Sequence, residues 1–297
     1  MEDRLDLELL RGAIDIHVHS YPDLFKRFST EEIARNARDL GMRALVFKHH
    51  HLATLDRAYY VMQQVKGIDL FPSIVLNYAV GGINPFAVEF ALKMGAKIIW
   101  MPTIDTVKQK EYYGALGGYG SQQSFSLPTF YREKDGIHLL DDSGKIRPEL
   151  NQVIELAAKS KAAIGVGHCS VPEMKALVRA AVQAGVRTFI DHPHEEFTGL
   201  AKVEDQRDFI KEGALLNYTF SEISPKWWCI SHQAFTEQIR EIGAEHIILS
   251  TDLGQVHNPL PAEGFRVMIQ ILLEGGIPPE DVRRMAQENP GKLLYGK

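Results

Sequence analysis

Cysteine is nearly missing from this chain of 297 residues: only Cys169 and Cys229 are present. Two cysteines make no disulfide framework, which points to a reducing compartment. No apolar run approaches the roughly eighteen residues of a membrane span. The opening Met1-Glu2-Asp3-Arg4 lacks the apolar stretch of a signal peptide, so a cytoplasmic protein is expected. Charge of one sign is also scarce: 33 Lys and Arg stand against 38 Asp and Glu, a formal net charge of −5. With no basic patch and no amphipathic basic segment, neither nucleic acid nor a membrane surface is an expected partner. No internal repeat, low-complexity tract or linker interrupts the chain, so residues 1–297 read as a single domain.

What is present is a regular alternation. Short β-branched runs fall at 13–19, 43–50, 69–77, 96–103, 162–168, 186–192, 214–220 and 246–252, each suited to a buried parallel strand. Helical segments separate them. Ser29-Thr30-Glu31-Glu32 and Ser170-Val171-Pro172-Glu173 are capping boxes, and Asn84-Pro85 places a cap before a proline at the first helical position. Eight strands alternating with helices predict an α/β fold, a (β/α)8 TIM barrel, with an open doubly wound sheet as the alternative.

One stretch breaks the rhythm. Residues 106–147, after strand four, form a loop insertion far longer than a usual βα connection. Its Tyr112-Tyr113-Gly114-Ala115-Leu116-Gly117-Gly118-Tyr119-Gly120 segment is rich in glycine and tyrosine, and a small hairpin is expected over 136–146. Because a loop following a barrel strand emerges on the catalytic face, a lid is expected there.

The chemistry sits at the strand ends. Ile14-Asp15-Ile16-His17-Val18-His19, the run ending at His168, Ile190-Asp191-His192 and Ser250-Thr251-Asp252 each finish on ligand-type side chains. His17 and His19 share one strand face, and by the same alternation Asp15 falls on that face one step deeper. A lone His-x-His is weak evidence, since most strand-end histidines are simply hydrogen-bonded. Five such residues at the same end of four strands predict a metal centre of His17, His19, His168, His192 and Asp252. Imidazole with carboxylate suits zinc foremost, with manganese, iron or cobalt as alternatives, one or two per chain.

This set resembles the amidohydrolase superfamily of metal-dependent hydrolases. The resemblance implies a (β/α)8 barrel whose ligands come from strands one, five, six and eight. It covers nearly the whole chain, down to Asn289-Pro290-Gly291-Lys292-Leu293-Leu294, which is similar to the family's closing Asn-Pro-Ala-x-x-Leu. Phe47-Lys48-His49-His50 and Ser250-Thr251-Asp252-Leu253-Gly254-Gln255 resemble, more narrowly, an uncharacterised amidohydrolase-like group. One departure stands out. Binuclear members carry a bridging carboxylated lysine or glutamate at the end of strand four, but here Lys97 lies at the wrong end and Asp105 is the one acid near the right end. If Leu45 and Phe47 face the helices, Val46 and Lys48 face the axis. Lys48 is therefore a candidate carboxylated bridge, or else an ammonium that binds an anionic substrate.

Around this set, His50, Tyr21, Gln255, His257 and Arg132 are candidate substrate contacts, Arg132 for a carboxylate or phosphate. Asp191 is expected to face a helix or to support the ligands, Glu222 to be a solvated loop residue, and Cys169 to be packing. The expected activity is hydrolysis of an amide, lactone or ester carbonyl of a small molecule by a metal-activated water, with Asp252 as ligand and general base. Alternatives are a phosphoesterase of PHP type, a decarboxylase with one metal, and a metal-binding barrel without turnover. A homo-oligomer is compatible with the sequence.

Overall fold

The structure, a computed structural model, describes residues 4–119 and 134–296. Helix α1 (Leu5–Leu10) precedes β1 (Ile14–His19), followed by α2 (Thr30–Asp39), β2 (Ala44–Lys48), α3 (Leu55–Gln64), β3 (Asp69–Phe71), β4 (Ser73–Val75) and α4 (Pro85–Lys93). Next come β5 (Ile98–Trp100), α5 (Val107–Tyr113), α6 (Pro148–Ser160), β6 (Ala163–Gly165), α7 (Val171–Gln183) and β7 (Thr188–Asp191). The chain closes through α8 (Val203–Lys211), β8 (Leu215–Thr219), α9 (Phe220–Ile223), α10 (His232–Ile242), β9 (Ile247–Ser250), α11 (Pro261–Glu274), α12 (Pro279–Arg283) and α13 (Asn289–Tyr295). The helix starts fall where the sequence signals put them. Ser29 accepts from Glu32 N, Ser170 and Glu173 form a capping box, and Asn84 caps α4.

Every strand pairing is parallel. One sheet runs β1-β2-β3 and the other β4-β5-β6-β7-β8-β9. Pro72, which has no N–H to give a ladder, splits the third run so that β3 pairs with β2 and β4 with β5. At the other side the first and last strands meet. Val18 bridges Leu253 in parallel, His19 N donates to Leu253 O and Asp252 N donates to His17 O.

The apolar interior falls into two clusters. Ile14, Ile16, Ala44, Val46, Ile98 and Trp100 belong to an inner one, which Leu293 and Leu294 of α13 join. Leu45, Phe47, Ile99 and Val18 belong to the larger cluster that includes the helices. In β2 the strict alternation carries Lys48 inward after Ala44 and Val46. In β1 the pairing with β2 shifts register between Asp15 and Val18. That irregularity puts Ile14 and Ile16 inside but Val18 outside, and it overturns the expected face of Asp15. Its carboxylate accepts from Thr251 N and Thr251 Oγ1, lacing β1 to the end of β9. No described helix is long and apolar enough to cross a membrane.

Candidate metal centre

The strand ends bring three lone-pair atoms into a small triangle. His17 Nε2 lies 3.3 Å from His19 Nε2 and 3.1 Å from Asp252 Oδ1, and His19 Nε2 lies 3.2 Å from Asp252 Oδ1. Ligands held about 2.0–2.1 Å from one cation stand roughly 3.0–3.4 Å apart, so these edges match those of a coordination shell. All three side chains are at least four-fifths buried.

The outer ring atoms fix the tautomers. His19 Nδ1 lies 2.8 Å from Asp23 Oδ2, so Nδ1 carries the proton and Nε2 keeps its lone pair for the centre. Asp23 reaches His50 Nδ1 as well, at 2.9 Å, and Arg27 Nε at 3.3 Å. His168 Nδ1 lies 3.1 Å from Gln109 Oε1, and Gln109 is oriented by its own bond to Gly118 O. This is how a metal-ligating histidine is usually held. His192 stands beside His168, ring centroids 5.1 Å apart, and its buried Nδ1 has no hydrogen-bond partner among the described residues. Glu195 Oε2 is 3.7 Å from that nitrogen.

Backbone geometry supports the same place. His192 and Asp252 both adopt left-handed backbone, at φ 31° and 52°, a conformation that costs roughly 1–3 kcal/mol for such residues and clusters at functional sites. At His192 it breaks the strand alternation, so Asp191 also points inward. Asp191 lies 3.2 Å from His17 Nδ1 and 3.4 Å from Lys48 Nζ, and accepts from Asn217 Nδ2 at 2.6 Å. The supporting role expected of it is thus directed at the site rather than at a helix. Gly167, at φ 65°, makes the turn that presents His168; a Cβ there would stand 2.3 Å from Pro102 O.

Lys48 occupies the position inferred from the alternation of β2. Its Nζ is 3.0 Å from His17 Nε2 and 4.1 Å from the centre of the Trp100 ring. On β5, the fourth of the strands expected from the sequence, the inward position near the site belongs to that indole, whose Nε1 donates to Ser73 Oγ. Asp105 turns away to accept from Tyr78 N.

The electrostatics favour positive charge. Burial opposes charge on His17, but Asp252 and Asp191 outweigh it and raise its pKa to about 9. Burial likewise works against ionisation of Asp252, yet His17 and His19 hold its carboxyl well below the usual range. Burial depresses His19, and depresses His168 strongly, keeping both imidazoles neutral and able to donate a lone pair. Burial pushes Glu195 up to about 7, with Asp252 adding to the rise and His192 opposing it. The described His and Asp clusters can hold a metal ion.

Beside the cluster a cavity holds about 580 Å³ of empty space, part of it open to solvent, and Asp252, His192, His50 and Gln255 line it. His257 stands behind that wall, its ring 5.6 Å from Trp227. Tyr21 does not line it: its side chain turns outward, 58 % exposed, because Tyr21 N is tied to Phe28 O and the loop folds back on itself. Arg132 lies outside the described residues. Glu222 is buried rather than solvated, accepting from His194 N, His194 Nδ1 and Thr219 N. Cys169 is buried as expected. The sequence reading missed Asp23 as a support for His19 and His50; its one signal was its place four residues after His19. Gln109, Arg27 and Glu195 carried no signal, because loop approach alone brings them in.

No curated protein matches the chain in sequence. Solved structures share its fold. An amidohydrolase from Pseudomonas aeruginosa aligns over 99% of both chains at 12% identity, with a TM-score of 0.64. An organophosphorus hydrolase from Deinococcus radiodurans aligns over 97% of this chain and 93% of its own, at 15% identity and a TM-score of 0.55. A protein engineered for organophosphate hydrolysis from a weak promiscuous lactonase aligns over 97% and 96%, at 13% identity and a TM-score of 0.56. Residues 12–217 match a model described as a family of unknown function, DUF6282, and the chain belongs to that family.

Proposed function

We propose that the chain is a metal-dependent hydrolase of small molecules, built as one closed (β/α)8 barrel over residues 1–297. The seam between Val18 and Leu253 and the shared run of β3 and β4 support closure. Tyr113 and Tyr119 on the cavity wall support a lid role for the 106–147 segment, of which residues 120–133 lie outside the described residues. The triangle of His17 Nε2, His19 Nε2 and Asp252 Oδ1 carries the functional reading. A hydrolase fold in the structural neighbours agrees with it.

In this reading His17, His19 and Asp252 would hold one ion, foremost zinc, and His168 and His192 would face a second. Lys48, whose Nζ lies 3.0 Å from His17 Nε2, would either take up carbon dioxide with loss of a proton and serve as a further ligand, or stay an ammonium that binds an anionic substrate. Such a metal would supply Lewis acidity toward the scissile carbonyl and activate water for attack. Asp252 does the proton work. Its Oδ1 faces the histidines, while Oδ2, which accepts from Ser221 Oγ at 3.2 Å, would take a proton from the nucleophilic water and return it to the leaving nitrogen or oxygen. Gln255 and His50 position the substrate from the cavity wall.

The test is a panel of lactones, esters, N-acyl amino acids and phosphoesters, run before and after chelator treatment and again with zinc restored. Turnover of a carbonyl substrate that disappears with the metal and returns with it is expected. Turnover confined to phosphoesters, or silence with metal fully bound, overturns the reading.

A further inference from the structure

The cavity wall contains a guanidinium, Arg27, whose donors are incompletely satisfied: its Nε stands 3.3 Å from Asp23 Oδ2 in an ion pair. Arg27 is 5 % exposed, and its Nε and Nη1 are buried without a hydrogen-bond partner among the described residues. Its neighbouring acid, Asp23, is already committed to His19 Nδ1 through one oxygen and to His50 Nδ1 through the other. Leaving a buried donor of this kind unmade costs about 1–3 kcal/mol or more, so such a group calls for a partner.

The backbone that carries it is held in place. Arg27 pairs antiparallel with Gln255, Phe28 N donates to Gly254 O, and Val256 N donates to Lys26 O. The side chain is thus anchored to the same end of β9 that presents Asp252, and it lines the same cavity as Asp252 and Glu195. Phe25, Tyr113 and Trp227 add aromatic walls, with the guanidinium carbon 5.4 Å from the Phe25 ring centre.

Resting on the hydrolase reading, we propose that Arg27 anchors the substrate through a free carboxylate, so that the substrates are small monocarboxylic acids bearing an amide, ester or lactone and an apolar or aromatic group. A guanidinium offers parallel N–H donors that match a carboxylate. A phosphate dianion would bring two charges to a wall whose one guanidinium is already shared with Asp23 and which also carries the carboxyls of Asp252 and Glu195; a carboxylate brings one charge and is repelled less. In hydrolysis one water adds across the acyl C–N or C–O bond. Its hydroxyl goes to the acyl carbon and its remaining hydrogen to the leaving atom, and the anchoring carboxylate is unchanged.

Calorimetric titration of the purified, metal-analysed protein tests this with three probes: benzoate, its uncharged isostere benzamide, and inorganic phosphate. In the unaltered protein benzoate should bind at least tenfold more tightly than either of the others. Arg27→Gln should weaken benzoate at least tenfold and leave benzamide unchanged, and Arg27→Lys should fall between, with circular dichroism confirming the fold of each variant. Equal affinity for benzoate and benzamide, tighter phosphate, or benzoate unaffected by a folded Arg27→Gln variant overturns the proposal. If Arg27→Gln does not fold, the comparison of probes in the unaltered protein decides. Binding is read without turnover, so failure of this assignment and failure of the hydrolase reading are distinguishable.

Discussion

Lys48 Nζ lies 3.0 Å from His17 Nε2, although the two residues come from different strands and stand 31 positions apart. That contact places an amine at the edge of the ligand triangle, while Trp100 fills the inward position of β5 beneath it. If Lys48 bridges two ions as a carbamate, bicarbonate should raise metal content from one to two per chain. Lys48→Ala should hold one whatever the bicarbonate. Atomic emission on desalted protein makes the count, and a single bicarbonate-indifferent metal in the unaltered chain would sink the bridge.

Asp23 acts through the two histidines it holds. Its oxygens stand 2.8 Å from His19 Nδ1 and 2.9 Å from His50 Nδ1. Asp23→Asn keeps the shape but loses the charge that fixes the His19 tautomer. Zinc affinity should fall by about 10–100-fold, read by competition with a chromophoric chelator, while thermal stability of the metal-free protein changes far less than affinity. Unchanged affinity would show that Asp23 does not orient a ligand.

Gly254 holds the seam beside the site. It adopts φ 137°, and a Cβ built there would stand 1.8 Å from His19 O. Backbone cannot yield as a flexible side chain can, so Gly254→Ala should cost about 4 kcal/mol or more in urea denaturation. It should also release metal, since the same displacement moves His19 and Asp252 together.

Much of this was readable in the sequence, for a definite reason. Parallel strands bring ligand-type side chains together at their ends, so His17, His19 and Asp252, which stand within reach of one another, could be picked out by position, and the period of two in β2 placed Lys48. Asp15 was misread because the register shift in β1 breaks that period. Asp191 was half-read because the left-handed backbone at His192 turns two successive residues inward. Asp23, Arg27, Gln109 and Glu195 come from loops, whose paths depend on packing between distant segments and leave no periodic trace.

Away from the site, Asp6 of α1 ties that helix to α11. Its Oδ2 is 2.6 Å from Arg266 Nη1 and 2.8 Å from Arg4 Nη2. The Arg4 hydrogen bond, opposed by burial and aided by Arg266, holds the Asp6 carboxyl well below its ordinary pKa. A carboxyl depressed in the folded state stabilises above its unfolded pKa of about 3.9 and loses that contribution as pH falls through the folded value. Asp6→Asn should therefore cost roughly 1–3 kcal/mol at pH 7. The gap between variant and unaltered protein in denaturant midpoints should close below about pH 4; a gap independent of pH would contradict the ion-pair account.

The claim beneath all of these is that the strand ends form a metal centre. Metal analysis of the unaltered protein beside His17→Ala and Asp252→Asn, after equilibration with zinc and desalting, tests it most directly. At least one zinc per chain in the unaltered protein, lost from both folded variants, is the predicted result. A chain that retains no zinc, or variants that retain as much as the unaltered protein, would contradict the account.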